Sequence, residues 1–252
     1  MASGSHPSHP SSQPLAQLPR GFFVFRDADL CVVHKPAGMK VYRDSRDEPY
    51  GAVDWAEHEL NQKLFPVHRL DRDTEGLLVI AKNSDAARRL QQGFRTREQH
   101  KTYLAWVWGS PPAKLTIETP LRKHKGSGME PAWTRFARVK QIELPGTNSS
   151  SNPAATPTAL LRLELRTGRF HQIRRHLSQS GWPIVGDREY GNRGLDSAYS
   201  TKRLELYATG IAFEHPRTGV LKKFECRPEG LHDLSGRLQR GLGKPPESTE
   251  NS

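Results

Sequence analysis

The spacing of apolar residues changes several times along this chain, and each change marks an element. FFVF (residues 22 to 25) and LCVV (30 to 33), separated by Arg26-Asp27-Ala28-Asp29, predict a β-hairpin. Val53, Ala56 and Leu60 fall at helical spacing. Leu77-Leu78-Val79-Ile80-Ala81 is short and uniformly apolar, the pattern of a strand buried on both faces. Asn83-Ser84-Asp85 then supplies N-cap residues, and Ala86, Leu90 and Phe94 recur every fourth position, which predicts an amphipathic helix. From Thr102 to Trp108 the period returns to two, with Leu104 and Trp106 on one face and Tyr103, Ala105 and Val107 on the other. Leu161, Leu163 and Leu165 alternate with Arg162, Glu164 and Arg166, a strand with one buried and one wet face. Thr167-Gly168 breaks that strand, and residues 170 to 180 carry a helical pattern that Gly181-Trp182-Pro183 stops. Many strands joined by hairpins or long excursions, with helices inserted, predict an α+β fold around a large mixed or antiparallel sheet.

Three low-complexity stretches lie outside this pattern. Residues 1–20 and 237–252, rich in Ser, Pro and other small or polar residues, are expected to be disordered tails around a catalytic domain at 21–236. PGTNSSSNPAATP (145–157) is expected to be a flexible loop joining two strands.

Composition adds a partner. Lys and Arg number 38 against 27 Asp and Glu in 252 residues, a net charge of +11 that favours a polyanion. No apolar run approaches the roughly 18 to 20 residues that span a bilayer, so no membrane association is expected. The two cysteines, Cys31 and Cys226, lack ligand neighbours at zinc spacing, and the histidines form no HxH or HExxH group. No metal site, no cofactor and a reducing, cytoplasmic location are the expectations, for a chain acting as a monomer.

Three segments hold chemistry that packing does not require. Val67-His68-Arg69-Leu70-Asp71-Arg72-Asp73-Thr74-Glu75-Gly76 is charged, yet abuts the most apolar strand. Such a loop at the mouth of a rigid strand suits catalytic groups, although a solvated turn pairing its carboxylates with Arg69 and Arg72 has the same composition. The second segment gathers Arg169 at a turn and His171, Arg174 and Arg175 on the helix after it, a place suited to phosphate. The third is Lys101-Thr102-Tyr103 at the start of a strand.

Read together, these segments resemble the RluA-type pseudouridine synthases. HRLDRDTEGLLVIAKN (68–83) is similar to that family's catalytic motif, and Lys35-Pro36-Ala37-Gly38 to its Lys-Pro-x-Gly. Lys101-Thr102-Tyr103 is similar to its Lys-x-Tyr. The block from Gly168 to Leu177, continued by Pro183-Ile184-Val185-Gly186-Asp187 and Tyr190-Gly191, is similar to its Gly-Arg-x-His-Gln-x-Arg segment. The resemblance runs from about residue 21 to 230. It implies a mixed, mostly antiparallel sheet flanked by helices with a central cleft, the pseudouridine synthase fold. It further implies Asp71 as the catalytic aspartate, Tyr103 as the base-stacking tyrosine, Arg174 as the partner of the aspartate, and neither metal nor organic cofactor. Arg69, Arg72, Lys101, Arg169, His171 and Arg175 would contact RNA, either tRNA or rRNA. With only a short segment before Phe22, no S4 domain is expected, as in smaller members, and the Arg-Arg-His helix resembles a TruC-like, tRNA-acting branch. Two positions depart from the pattern: Glu75 replaces a usual Ser, and Tyr207 a common His.

Two other functions share parts of this pattern. A non-catalytic RNA-binding protein would use the arginines but has no use for Asp71. A glycoside hydrolase would need Asp71 and Asp73 to flank a sugar at about 5 to 9.5 Å, which two positions on one loop do not naturally provide.

Overall fold

The computed structural model describes residues 21–44, 50–96, 100–122, 128–146 and 155–228, with 231, 234 and 236. Both expected tails lie outside these residues, as do the basic stretch 123–127 and most of the 145–157 segment.

The first hairpin forms as the pattern requires: β1 (Phe23–Arg26) pairs antiparallel with β2 (Leu30–Lys35). The Asp27 side chain fixes its turn by accepting the N–H groups of Asp29 and Leu30. Next come α1 (Ala52–Leu60), a short β3 (Phe65–Pro66) and the apolar β4 (Glu75–Ala81). Asn83 then accepts the Ala86 N–H and starts α2 (Ser84–Thr96). β5 (His100–Trp108) leads through β6 (Lys114–Ile117), β7 (Leu121–Arg122) and β8 (Met129–Glu130) to β9 (Thr134–Leu144) and β10 (Thr156–Leu165). Thr156 pairs with Leu144, so residues 145–155 do join two adjacent antiparallel strands. The chain closes with α3 (Gln172–Gln179), α4 (Arg193–Ala198), β11 (Leu206–Glu214) and β12 (Leu221–Glu225).

Ten of the described strands form one sheet in the order β1-β2-β4-β11-β5-β10-β9-β6, with β3 also on β4 and β12 also on β11. Within it the β4–β11 pair is parallel and the other pairs are antiparallel. That matches the expected mixed, mostly antiparallel architecture.

Strand alternation splits the core between the two faces. Cys31, Val33, Leu78, Ile80, Tyr103, Ala105, Leu161 and Leu163 pack with α1 and α3. Leu30, Val32, Leu77 and Val79 pack with α2 on the other face, and Trp106, Trp108 and Leu160 extend that face farther along the sheet. Leu77 to Ile80 are all at most 1% exposed, each worth about 1.5 to 3 kcal/mol of burial. β4 is therefore rigid, and the loop before it starts from a fixed point.

The joint between the halves of the sheet sets the site. β4 and β11 pair only at Glu75 with Tyr207 and Gly76 with Ala208; beyond that β4 takes β3 and β11 takes β12 as partner. The two strands thus meet at their N-terminal ends and then part. Gly76 has φ +132°, and a Cβ there would lie 2.2 Å from the Ala208 carbonyl oxygen. Only glycine allows this approach.

Gly76→Ala should therefore cost about 3 kcal/mol or more, from backbone strain and overlap together. Urea denaturation checks this; a loss below about 1 kcal/mol would mean that the joint is not tight.

Candidate active site

A cleft of about 510 Å³ opens at this joint, lined among others by Gly38, Asp71, Arg72, His171, Arg174 and Asp187. Its opposite lip carries Arg188, Lys202 and Arg203.

Asp71 sits in the turn just before β4. The Thr74 N–H donates to the Asp71 carbonyl, and the turn is clasped from below by the fully buried Lys35. Lys35 Nζ donates to the carbonyls of Pro36 (3.0 Å), Met39 (2.7 Å) and Arg72 (2.9 Å), and the Gly38 N–H also donates to that of Arg72. Burial pulls the Lys35 pKa down to about 7, against Asp73, Asp71 and Glu75, whose charges raise it. On the side toward β4, His68 Nε2 accepts the Val79 N–H at 3.0 Å. Burial and then the charge of Lys101 push His68 well below its usual pKa, so it serves as a neutral acceptor. Lys35 and His68 thus fix the loop without facing the cleft.

The partner of Asp71 comes from α3. Ile173 and Leu177 anchor this helix in the core, which turns Arg174 toward the cleft. Arg174 Nη1 lies 3.7 Å from Asp71 Oδ2. Its tighter contacts go elsewhere: Nε and Nη2 grip both oxygens of Asp187 at 2.8 Å each, and Nη2 reaches Glu189 at 3.4 Å. Asp187, 1% exposed, also accepts the N–H groups of Glu189 and Tyr190. It is presented by residues 183–185, which run beside the end of β5: Trp108 N–H donates to Pro183 and Val185 N–H to Trp106.

Burial opposes the charge on both members of the pair. For Arg174 the Asp187 carboxylate more than offsets it and the pKa is raised, with Asp71 and Glu189 adding to the effect. For Asp187 the Arg174 guanidinium and the two N–H groups more than offset it, and the pKa is lowered.

His171 is the N-cap of α3, in the left-handed region at φ 50° and ψ 34°. The helix therefore begins at Gln172, not at residue 170 as its apolar spacing implied. A non-glycine residue there is strained by about 1 to 3 kcal/mol. Its ring lies 3.8 Å from Asp71, within 3.3 Å of both Tyr190 Oη and Glu189, and stacked on Phe170. Burial, only partly offset by Asp71, lowers its pKa.

Asp71, Arg174, His171 and Arg72 come together in the cleft as the sequence led us to expect. Arg72 spends its guanidinium on the neighbouring Asp73 at 3.1 Å, as in a solvated turn. Arg69 lies beside Phe170, with its guanidinium 5.7 Å from the ring centroid. The other expected residues do not line the cleft. Arg169 pairs with Glu130 and donates to the Pro131 carbonyl. Arg175 donates to the carbonyls of Arg122 and Phe170. Lys101 lies against the Phe94 ring, and burial brings its pKa down to about 8. Tyr103 is 7% exposed in the core, its pKa raised by burial and by the Asp71 charge.

Asp187, Glu189, Tyr190 and Arg203 belong to the site; Asp187 and Tyr190 lie in the matched block, but none of the four was given a role from the sequence. The two departures, Glu75 and Tyr207, are register partners, and both meet Arg203. Arg203 lies 3.8 Å from Glu75 and 3.3 Å from Glu205, and donates to the Tyr207 hydroxyl. The exchanges thus form one network on the cleft wall.

Away from the cleft, Asp27, Asp29 and His215 form one group of metal-binding spacing among the described residues. His215 Nδ1 accepts the N–H groups of Arg217 and Thr218, so Nε2 carries the proton that faces Asp27 at 2.9 Å. No imidazole lone pair is left for an ion, and the group acts as a clasp.

A carboxylate set against a locked guanidinium, in a cleft of a strongly basic chain, fits an enzyme that acts on RNA. Comparison with known proteins agrees. The sequence profile described as RNA pseudouridylate synthase matches residues 29–179. The tRNA pseudouridine synthase C of Haemophilus ducreyi is 36% identical over 210 residues, covering 77% of this chain and 86% of that protein. The Vibrio cholerae protein of the same name is 34% identical over 211 residues, with coverage of 77% and 86%. The solved structure of human RNA Pseudouridylate Synthase Domain Containing 1 shares the fold, with TM-score 0.68 and 24% identity over 85% of this chain and 86% of that one. The chain belongs to the RNA pseudouridylate synthase family and is an isomerase acting on RNA.

Asp187→Asn removes the carboxylate that compensates a buried guanidinium and should cost about 3 kcal/mol in urea denaturation at neutral pH. Because the folded-state pKa of Asp187 is lowered, its contribution is fully present above the unfolded carboxyl value near 4. It is lost as pH falls through the lower folded value, so the gap between variant and wild type should close there. Equal stability at pH 7 would remove Asp187 from this role.

Proposed function

We propose that this enzyme converts uridine to pseudouridine in tRNA, with Asp71 as the carboxylate that starts the reaction. The observation that carries this is the placement of Asp71, half-buried in the cleft with Arg174 3.7 Å away and itself locked by Asp187. The choice of tRNA over rRNA rests on the relatives named tRNA pseudouridine synthase C.

The reaction breaks C1′–N1, turns the uracil and joins C1′ to C5, while the proton on C5 leaves and N1 gains one. Asp71 can begin this by attacking the ribose, by attacking the base, or by removing a sugar proton. In each case its charge must persist once the bound base has excluded water, and the Arg174 guanidinium serves that need. The uridine has to leave its stack to reach this depth. Tyr103, buried in the core where the Asp71 charge reaches it, would have to be uncovered by the incoming uridine before its ring could return part of the lost stacking. Arg69, Arg72 and His171 lie where the flanking RNA enters, and Lys101, Arg169 and Arg175 would contact RNA outside the cleft. A protein that only bound RNA would gain nothing from a carboxylate at Asp71, which repels phosphate. No helix among the described residues is long and apolar enough to cross a membrane. A cytoplasmic monomer fits the two free cysteines and exposed apolar residues such as Val24, Val139 and Leu221, which lie on separate strands.

Asp71→Asn should lower tritium release from C5-labelled tRNA by at least about a hundredfold. Affinity for the same tRNA should stay within about threefold, because the exchange removes a charge that repels phosphate. Near-normal release by the variant would sink the assignment. Pseudouridine mapping of total tRNA and rRNA with and without the gene would then identify the modified uridine.

A further inference from the structure

Phe170 stands out as a large aromatic residue left 40% exposed at the edge of the cleft. Helix packing does not account for it. As the residue before the N-cap of α3, it would normally pack against an apolar side chain in the first turn. The residue at that position is Arg175, whose Nη1 donates to the Phe170 carbonyl instead of covering the ring. The ring is held nonetheless: it stacks on His171 with centroids 3.7 Å apart and planes 21° from parallel. His171 is fixed in turn by its left-handed backbone and by Tyr190, Glu189 and Asp71. On Phe170, the Arg69 guanidinium lies 5.7 Å from the centroid, too far for a close stack. Two aromatic planes therefore lead outward from the catalytic carboxylate and end in an accessible ring with a loose cation beside it.

We propose that the exposed face of Phe170 is a stacking site for an RNA base next to the uridine that enters the cleft. This rests on the reading of the cleft as a uridine site. Phe170 lies one ring farther from Asp71 than His171 does, as a neighbouring nucleotide lies one phosphate from the reacting one. An aromatic face beside guanidinium groups suits a ligand that joins flat bases to phosphates. An apolar protein partner would have to bury the charges of Arg69 and Arg175. Extruding one base unstacks its neighbours, and an external ring that receives one of them lowers the cost of extrusion.

The test measures the affinity of bulk tRNA for the full chain carrying Phe170→Ala, Phe170→Leu or Phe170→Trp across a salt series, with thermal melts of each variant. Loss of one stacked base should raise Kd about 5- to 150-fold for Ala. Trp should stay within about twofold of wild type and Leu should follow Ala, because stacking needs a π-face and not merely apolar area. The slope of log K against log salt should be unchanged, since no phosphate contact is lost. A Kd within about twofold of wild type for Leu, or a salt slope altered by about one, overturns the proposal. The Leu arm decides the matter if Ala fails to fold. Tritium release by the wild-type enzyme is measured in parallel. Its absence would count against the uridine reading, whereas normal release with unchanged affinity in the Leu variant would count against the stacking site alone.

Discussion

The bidentate pair between Arg174 and Asp187 is the interaction on which the site depends. It joins α3, anchored in one core by Ile173 and Leu177, to a segment docked on the end of β5. A guanidinium this deeply buried would be intolerable without a full partner, and Asp187 supplies both oxygens. With its Nε and one Nη thus committed, Arg174 can present its remaining Nη1 in only one direction, toward Asp71. The 3.7 Å separation there is a charge contact, longer than a hydrogen bond. Asp71 keeps the electrostatic support, and neither of its oxygens is spent on a hydrogen bond to Arg174.

The same economy shapes the scaffold. The two halves of the sheet touch along only two residue pairs of parallel strand, and Gly76 permits that contact. Asp71 lies five residues before the joint, and Arg203 three residues before the start of β11 on the other strand. Both walls of the cleft are therefore loops that enter the same rigid point. Lys35 ties the first wall from beneath through three carbonyls, and Arg203 ties the second through Glu75, Glu205 and Tyr207. A site built this way holds its geometry by backbone anchorage and does not rely on the long side chains at its rim.

Much of the frame was legible in the sequence because it is written in local periodicity. The apolar run of β4, the Asn83 cap, the face alternation of β5 and the β9–β10 connection all follow from neighbours within a few residues. Asp71 and Arg174 were legible by their motif. What stayed hidden depends on distance. Asp187 lies 13 residues beyond Arg174, at the end of an apolar segment with no pattern that marks it as a clamp. Helix spacing includes Phe170 and His171, and only the positive φ of His171 excludes them. Lys101 has the same strand parity as Tyr103, yet lies on the Phe94 ring of α2, outside the cleft. Glu75 and Tyr207, 132 residues apart, read as separate oddities until the parallel register sets them side by side.

Charge is distributed unevenly between the cleft and the rest of the chain, and this bears on what can enter. The chain carries a net +11, but the cleft walls hold Arg72, Arg174, Arg188, Lys202 and Arg203 against Asp71, Asp73, Asp187 and Glu189, close to balance. The basic excess therefore lies mostly outside the cleft, where it attracts a phosphate backbone over the distance that salt allows. A phosphate that tried to follow into the cleft would meet Asp71 and lose that advantage. Uracil is uncharged and meets no such barrier. On the proposed reading, the field of the protein would sort one nucleotide into its parts, with the backbone held at the rim and the base alone at the carboxylate. Such sorting would require an extruded nucleotide, and it would let the proposed catalytic carboxylate sit at the centre of so basic a protein while the phosphate contacts stay outside the cleft.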